Sequence, residues 1–180
     1  MAAFRELIVN QLSGSYSLRS GSARSPHLHI SIYLSMAQLH DTGEEFILKE
    51  AFGNGSGASS VSVGLFNYSA DNLSDPDDVG DITTEPSGSG YERQDVSIGS
   101  GFSFARVGGD WQALLSDVVF DTDDSSEMID GYFVTATFES EEAGDSSPQE
   151  HLLFSGELDQ EYDLGSVTSF TLQGTGLSLS

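Results

Sequence analysis

"SVSVGLFNY", residues 60–68, decides the fold. Val61, Val63 and Leu65 alternate with small or polar residues, a period of two that puts them on one face of an extended strand. The same habit recurs in "YERQDVSI" (91–98), "GFSFARV" (101–107), "LLSDVVF" (114–120) and "GYFVTATF" (131–138). It continues in "HLLFSGEL" (151–158), "VTSFTL" (167–172) and "GLSLS" (176–180). Short strands separated by loops of Gly, Asp and Ser predict an all-β, antiparallel sandwich of about eight strands. A parallel α/β fold needs a helix between successive strands, and the pattern supplies none.

One helix is predicted ahead of the strands. In "DTGEEFILKEAFGNGSG" (41–57), Thr42 and Glu45 have the spacing of a reciprocal helix-start cap. Ile47, Leu48, Ala51 and Phe52 follow at helical spacing, and the glycines from 53 to 57 end the run. Residues 69–90 are too long for a hairpin turn and read as a surface excursion, with "DTDDSSE" (121–127) and "ESEEAGDSSPQE" (139–150) as shorter acidic loops.

Charge divides the chain at Met36. Residues 1–35 hold Arg5, Arg19 and Arg24 against Glu6, a net of +2. Residues 36–180 hold Lys49, Arg93 and Arg106 against 28 carboxylates, a net of −25, and the whole chain stands at −23. Self-repulsion on this scale opposes compaction in dilute buffer. At molar salt the screening length falls to about 3 Å, and the same carboxylates serve to keep the surface hydrated. With 37% apolar residues and 11 Phe, the chain is no disordered acidic tail. The composition predicts a protein built for brine, from a salt-accumulating archaeon or its virus. There are no cysteines, so no disulfide staples the fold. No apolar run reaches 18 residues and the first residues lack a secretory pattern, which predicts a product made in the host cytoplasm with no membrane partner.

The order of features carries a resemblance. "TGEEFILKEAFGN" precedes "VGLFNYS", then an acidic loop ends in Gly90-Tyr91-Glu92-Arg93, Trp111 and "VVFDT" follow, and "MIDGYFVTATF" and "DLGSVTSFTLQGTGLSLS" close the series. This resembles a family of small jelly-roll structural proteins of tailed viruses that have no known enzymatic activity. The resemblance covers about residues 38–180. It implies a jelly-roll domain over 36–180, a virion location and a homo-oligomer, a trimer or pentamer, in contact with the major capsid protein or other virion proteins. Tyr91, Arg93, Trp111, Gly131, Tyr132 and Phe133 are the candidate subunit-contact or core residues. Arg93 is suited to lying over an aromatic ring or pairing with a carboxylate, while Tyr132 and Phe133 must point to opposite faces of their strand.

Residues 1–35 lie outside that resemblance. Phe4, Leu7, Ile8 and Leu12 recur at helical spacing, and Leu28, Ile30, Ile32 and Leu34 form one apolar face of a strand. Burying those four strand side chains is worth about 6–12 kcal/mol at ~1.5–3 each, before ordering costs. The segment is read as an N-terminal assembly arm, with Arg19 and Arg24 adding attraction to an acidic neighbour and the strand adding to another subunit's sheet. The alternatives are an extra strand within the same subunit and a true start at Met36.

Catalytic motifs are lacking. There is no Gly-x-Ser-x-Gly, no phosphate-binding loop with its Lys and no His-Glu-x-x-His. Asp121 and Asp123 have the opening spacing of a calcium loop, but Ser126 stands where its turn Gly belongs and Tyr132 where its last carboxylate belongs. No cofactor or metal is expected, and a surface this acidic repels nucleic acid. The reading is a non-enzymatic virion protein, a decoration or turret on the head of a halophilic tailed virus. The alternative is a tail or baseplate module whose 69–90 loop recognises a cell-surface glycan.

Overall fold

The computed structural model describes residues 28–29, 37–44, 47, 57–107, 110–138 and 149–179. Eleven strands run through them: β1 (Leu28–His29), β2 (Gln38–Leu39), β3 (Ala58–Phe66), β4 (Gln94–Val96), β5 (Phe102–Val107), β6 (Asp110–Leu115), β7 (Val118–Asp121), β8 (Met128–Phe138), β9 (Gln149–Asp163), β10 (Ser169–Leu172) and β11 (Gly176–Leu179). They form a five-stranded antiparallel sheet, β2-β9-β8-β3-β4, and two three-stranded sheets, β1-β10-β7 and β11-β6-β5. The molecule is all-β with antiparallel sheets. One parallel pairing, β1 on β10, is the exception.

Alternation built these strands as expected. Val61, Val63 and Leu65 of β3 enter the main hydrophobic cluster beside Tyr132, Val134 and Ala136 of β8. Phe120 of β7, Phe170 and Leu172 of β10, and Leu115 and Leu177 of β6 and β11 join the same cluster, so all three sheets share one core. The run "LLSDVVF" is two strands, not one. The chain leaves β6 at Leu115, crosses Ser116 and Asp117, and enters β7, which pairs with β10 in a different sheet.

Residues 69–90 run along the surface as expected, and a few of their side chains lay them against the second face of the five-stranded sheet. A one-turn helix, Tyr68–Asp71, and a 3₁₀ turn, Val79–Asp81, organise the segment. Buried Leu73, with Tyr68 and Ile82 beside it, packs on Phe66, Phe133 and Leu152 in a second cluster. That is why β8 is buried on both faces from Ile129 to Ala136, where an open sheet would alternate.

Carboxylates fasten this segment down. Asp71 accepts hydrogen bonds from the amides and hydroxyls of Thr83 and Thr84, at 2.7–3.2 Å. Asp130, itself buried, takes the Ser69 amide and hydroxyl. Asp78 caps its 3₁₀ turn and also receives the Leu152 amide of β9 at 2.7 Å. Bonds to an ionised acceptor are about twice as strong as neutral ones.

The predicted helix start is real but differently capped. Residues 41–44 and 47 are helical, with the Glu44 amide donating to the His40 carbonyl at 2.9 Å. Thr42 is within the turn and donates its hydroxyl to the Leu152 carbonyl, while Glu45 lies outside the described residues. His40 is fully buried, bonded to the Asp75 carbonyl through Nδ1 and to Ser155 Oγ through Nε2.

Candidate functional site

The densest polar constellation among the sequence-selected residues forms where the 69–90 segment re-enters the sheet. β4 pairs with β3 only as far as Gln94 opposite Val63, so the Leu65 amide has no ladder partner on that side. The Tyr91 hydroxyl fills the gap, accepting from the Leu65 amide at 2.8 Å and donating to Glu85 Oε1 at 3.1 Å. Its ring stacks on Phe120 at 5.9 Å. Burial, then the negative charge of Glu85, pushes the phenol well above its ordinary range.

Arg93 completes the corner. Its Nε and one terminal nitrogen grip both oxygens of Glu85 at 2.7–3.1 Å, and the other terminal nitrogen donates to Glu150 Oε1 at 2.7 Å. Glu150 also accepts from Thr135 Oγ1 at 2.7 Å. The guanidinium lies 4.9 Å from the centre of the Phe133 ring, so the sequence's two options for Arg93, a ring and a carboxylate, are both realised. Hydrogen bonding to Glu85 raises the guanidinium further above its ordinary range, against the opposing effect of burial. One cation thus holds two carboxylates, and the group acts as a latch between the covering segment, β4 and β9.

Gly131, Tyr132 and Phe133 work on both sides of β8. Phe133 stands opposite Gly64 of β3, and a Cβ on Gly64 would come within 2.2 Å of the ring. Tyr132 stands opposite Gly156 of β9, where a Cβ would come within 2.6 Å of its ring. Two neighbouring aromatics therefore lie flat over glycines on opposite faces of the sheet. Tyr132 also donates to the Gly176 carbonyl at 3.3 Å, tying the five-stranded sheet to β11, and burial pushes its phenol up to about 12. Gly131 is needed because Tyr68 Cβ and Phe66 occupy the space a side chain would take. These three residues are core, and the surface of Phe133 that could have met another subunit is covered by Arg93 and the second cluster.

Trp111 is different. It lies on β6 and is 61% exposed. Of the arm residues, Phe4, Leu7, Ile8, Arg19, Arg24, Ile30, Ile32 and Leu34 lie outside the described residues. Leu28 lies in β1, opposite Phe170 of the same chain.

The acidic loop 121–127 is likewise internally bonded: Asp121 accepts from the Asp123 amide, Asp124 from Ser89 Oγ, and Glu127 from Ser87 and Ser126. Among the described residues no group of three or more His, Cys, Asp or Glu side chains is placed to hold a metal ion. A shallow groove of about 400 Å³ runs between the facing edges of β4 and β7, lined mainly by Ser, Asp, Gly and Val. Among the described residues no helix is long and apolar enough to cross a membrane.

Sequence reasoning missed Gly64, Gly156, Glu85 and Glu150. A glycine inside an otherwise alternating strand is a signal of close approach, and "SVSVGLF" carries one. Nothing local marks Glu85 or Glu150 among so many carboxylates. No family model, no curated protein and no solved structure matches the chain, and nothing in these comparisons identifies a jelly-roll viral family.

Proposed function

We propose that this chain is a non-enzymatic structural component of a virus particle that matures in brine, a jelly-roll decoration or turret protein on the head of a halophilic tailed virus. The observation that carries this reading is the use made of the acidic groups. On a chain of net charge −23, the carboxylates around the covering segment are spent on fastening it, and the polar cluster at Arg93 is closed by its own ion pairs. Such a body serves as a rigid, hydrated block better than as a vessel for chemistry. The three sheets around one core support a sandwich of the jelly-roll kind. The protein functions as a homo-oligomer of three or five copies seated on the major capsid protein, with residues 1–35 contributing to the attachment.

The tail-module alternative needs residues 69–90 to be available for a glycan; of these only Leu73 and Pro86 are buried, and the outer side of the segment is open to a ligand. The test is to purify particles in molar salt and measure the copies of this chain per major capsid protein. A fixed stoichiometric ratio on heads supports the proposal. Absence from particles, or confinement to tails, overturns it.

A further inference from the structure

One electrically quiet stretch carries two large aromatics that are exposed among the described residues. Residues 97–116 contain Arg106 and Asp110 and no other charge, a net of zero over twenty residues. The strands of the β11-β6-β5 sheet hold that same single pair, whereas the strands of the five-stranded sheet carry seven carboxylates and no Lys or Arg. β5 and β6 form a hairpin in register from Phe102 opposite Leu115 to Val107 opposite Asp110. At the root of one face Phe102 and Leu115 belong to the main cluster. Farther along the same face, beyond the core, Phe104 and Trp111 are 70% and 61% exposed. They are diagonal neighbours across the hairpin, within reach of each other.

β5 is also the end strand of its sheet among the described residues. Alternation of the antiparallel ladder fixes which backbone groups point away from β6. Ser116 donates to Gly101 across the start of the hairpin, so the residues bonded to β6 are the odd-numbered ones and the amides and carbonyls of Phe102 and Phe104 face outward.

We propose that β5 is a self-association edge, pairing antiparallel with β5 of a second copy about a two-fold axis at Phe104. Charge chooses the occupant. At molar salt only charges within about 3 Å of each other still interact, so two copies of this acidic chain pack most easily where no carboxylate is brought against another, as on this face. A two-fold axis normal to the sheet keeps both copies' faces aligned, so Phe104 and Trp111 from each join in one aromatic patch. This contact joins copies in pairs and does not depend on the virion reading.

The test is sedimentation of the full chain in molar KCl across a range of concentrations, on the wild type and on Phe104→Asp. A wild-type dimer that weakens at least tenfold in Phe104→Asp, with an unchanged far-ultraviolet circular dichroism spectrum, is the expected result. Because the chain has no cysteine, Phe104→Cys supplies a second readout that does not depend on that variant folding well. Opposed residues at a hydrogen-bonded position are about 5.5 Å apart, within the ~4.4–6.8 Å a disulfide spans. Mild oxidation therefore yields a covalent dimer from Phe104→Cys and not from Val119→Cys, whose site is exposed on another sheet. A wild type that stays monomeric at every concentration overturns the proposal. So does Phe104→Asp associating like the wild type, or the two cysteine variants cross-linking at equal rates.

Discussion

Replacing Gly64 by alanine tests the packing on which the Arg93 corner depends. The new Cβ would sit 2.2, 2.5 and 2.9 Å from three ring carbons of Phe133. The ring cannot easily retreat, since Arg93 lies over it at 4.9 Å and Phe66 meets it edge-on at 5.8 Å. Overpacking of this kind costs about 1–3 kcal/mol. The cation–π contact that shifts with the ring adds ~0.5–1 kcal/mol, and the lower entropy of an unfolded alanine chain returns ~0.4–1 kcal/mol. The expected net loss is about 2 kcal/mol, a fall in Tm of roughly 4–8 °C for a domain of this size. Thermal and urea unfolding in molar KCl read it directly. Phe133→Leu in the Gly64→Ala background makes room for the methyl, so the double variant is less destabilised than the two single losses added together. A Gly64→Ala protein as stable as the wild type, or strict additivity in the double variant, refutes the reasoning.

Arg93→Lys keeps the charge but loses the two-pronged grip on Glu85, and about 1–2 kcal/mol of stability goes with it; equal unfolding midpoints for the two proteins would count against the latch. At Glu127 burial raises the carboxyl, but hydrogen bonds from Ser126 and Ser87 outweigh it and hold the group below its ordinary 4.5. A depressed folded-state pKa gives stability that is full above about 4.5 and is lost as pH falls through the folded value, so Glu127→Gln has a shallower acid limb in a stability–pH curve than the wild type. Tyr132 has the opposite sign: its phenol, raised by burial to about 12, favours the fold at neutral pH and loses that contribution as pH rises from 10 to 12. Absorbance titration at 295 nm should show Tyr132 ionising late, and Tyr132→Phe should lose that late component and part of the alkaline instability.

Alternation placed β3, whose Val61, Val63 and Leu65 enter the shared core, while β8 and β10 were marked by short apolar runs, β8 being buried on both faces. It failed where other forces rule. "LLSDVVF" reads as one apolar run, yet Ser116 and Asp117 let the chain change sheets without any glycine or proline to announce it. The 69–90 segment reads as solvent-facing because its apolar residues, Ala70, Leu73, Val79 and Ile82, are few and far apart. Its attachment comes from carboxylates bonding to amides and hydroxyls, as Asp71 does with Thr83 and Thr84, and in a chain so rich in acid no single carboxylate stands out. Tyr91, Arg93 and Phe133 were legible as a group only by motif order. Their common point of contact, Glu85 for the first two and the guanidinium for the third, is set by how the covering segment returns to β4.

The proposal that this body belongs in brine is tested most directly by its folding free energy as a function of KCl. With a net charge of −23 and a screening length that shrinks from about 10 Å at 0.1 M to ~3 Å at 1 M, stability should climb steeply between those concentrations and level off above them. A chain that is equally stable at both would contradict the account, because its carboxylates would then need no salt to share one surface.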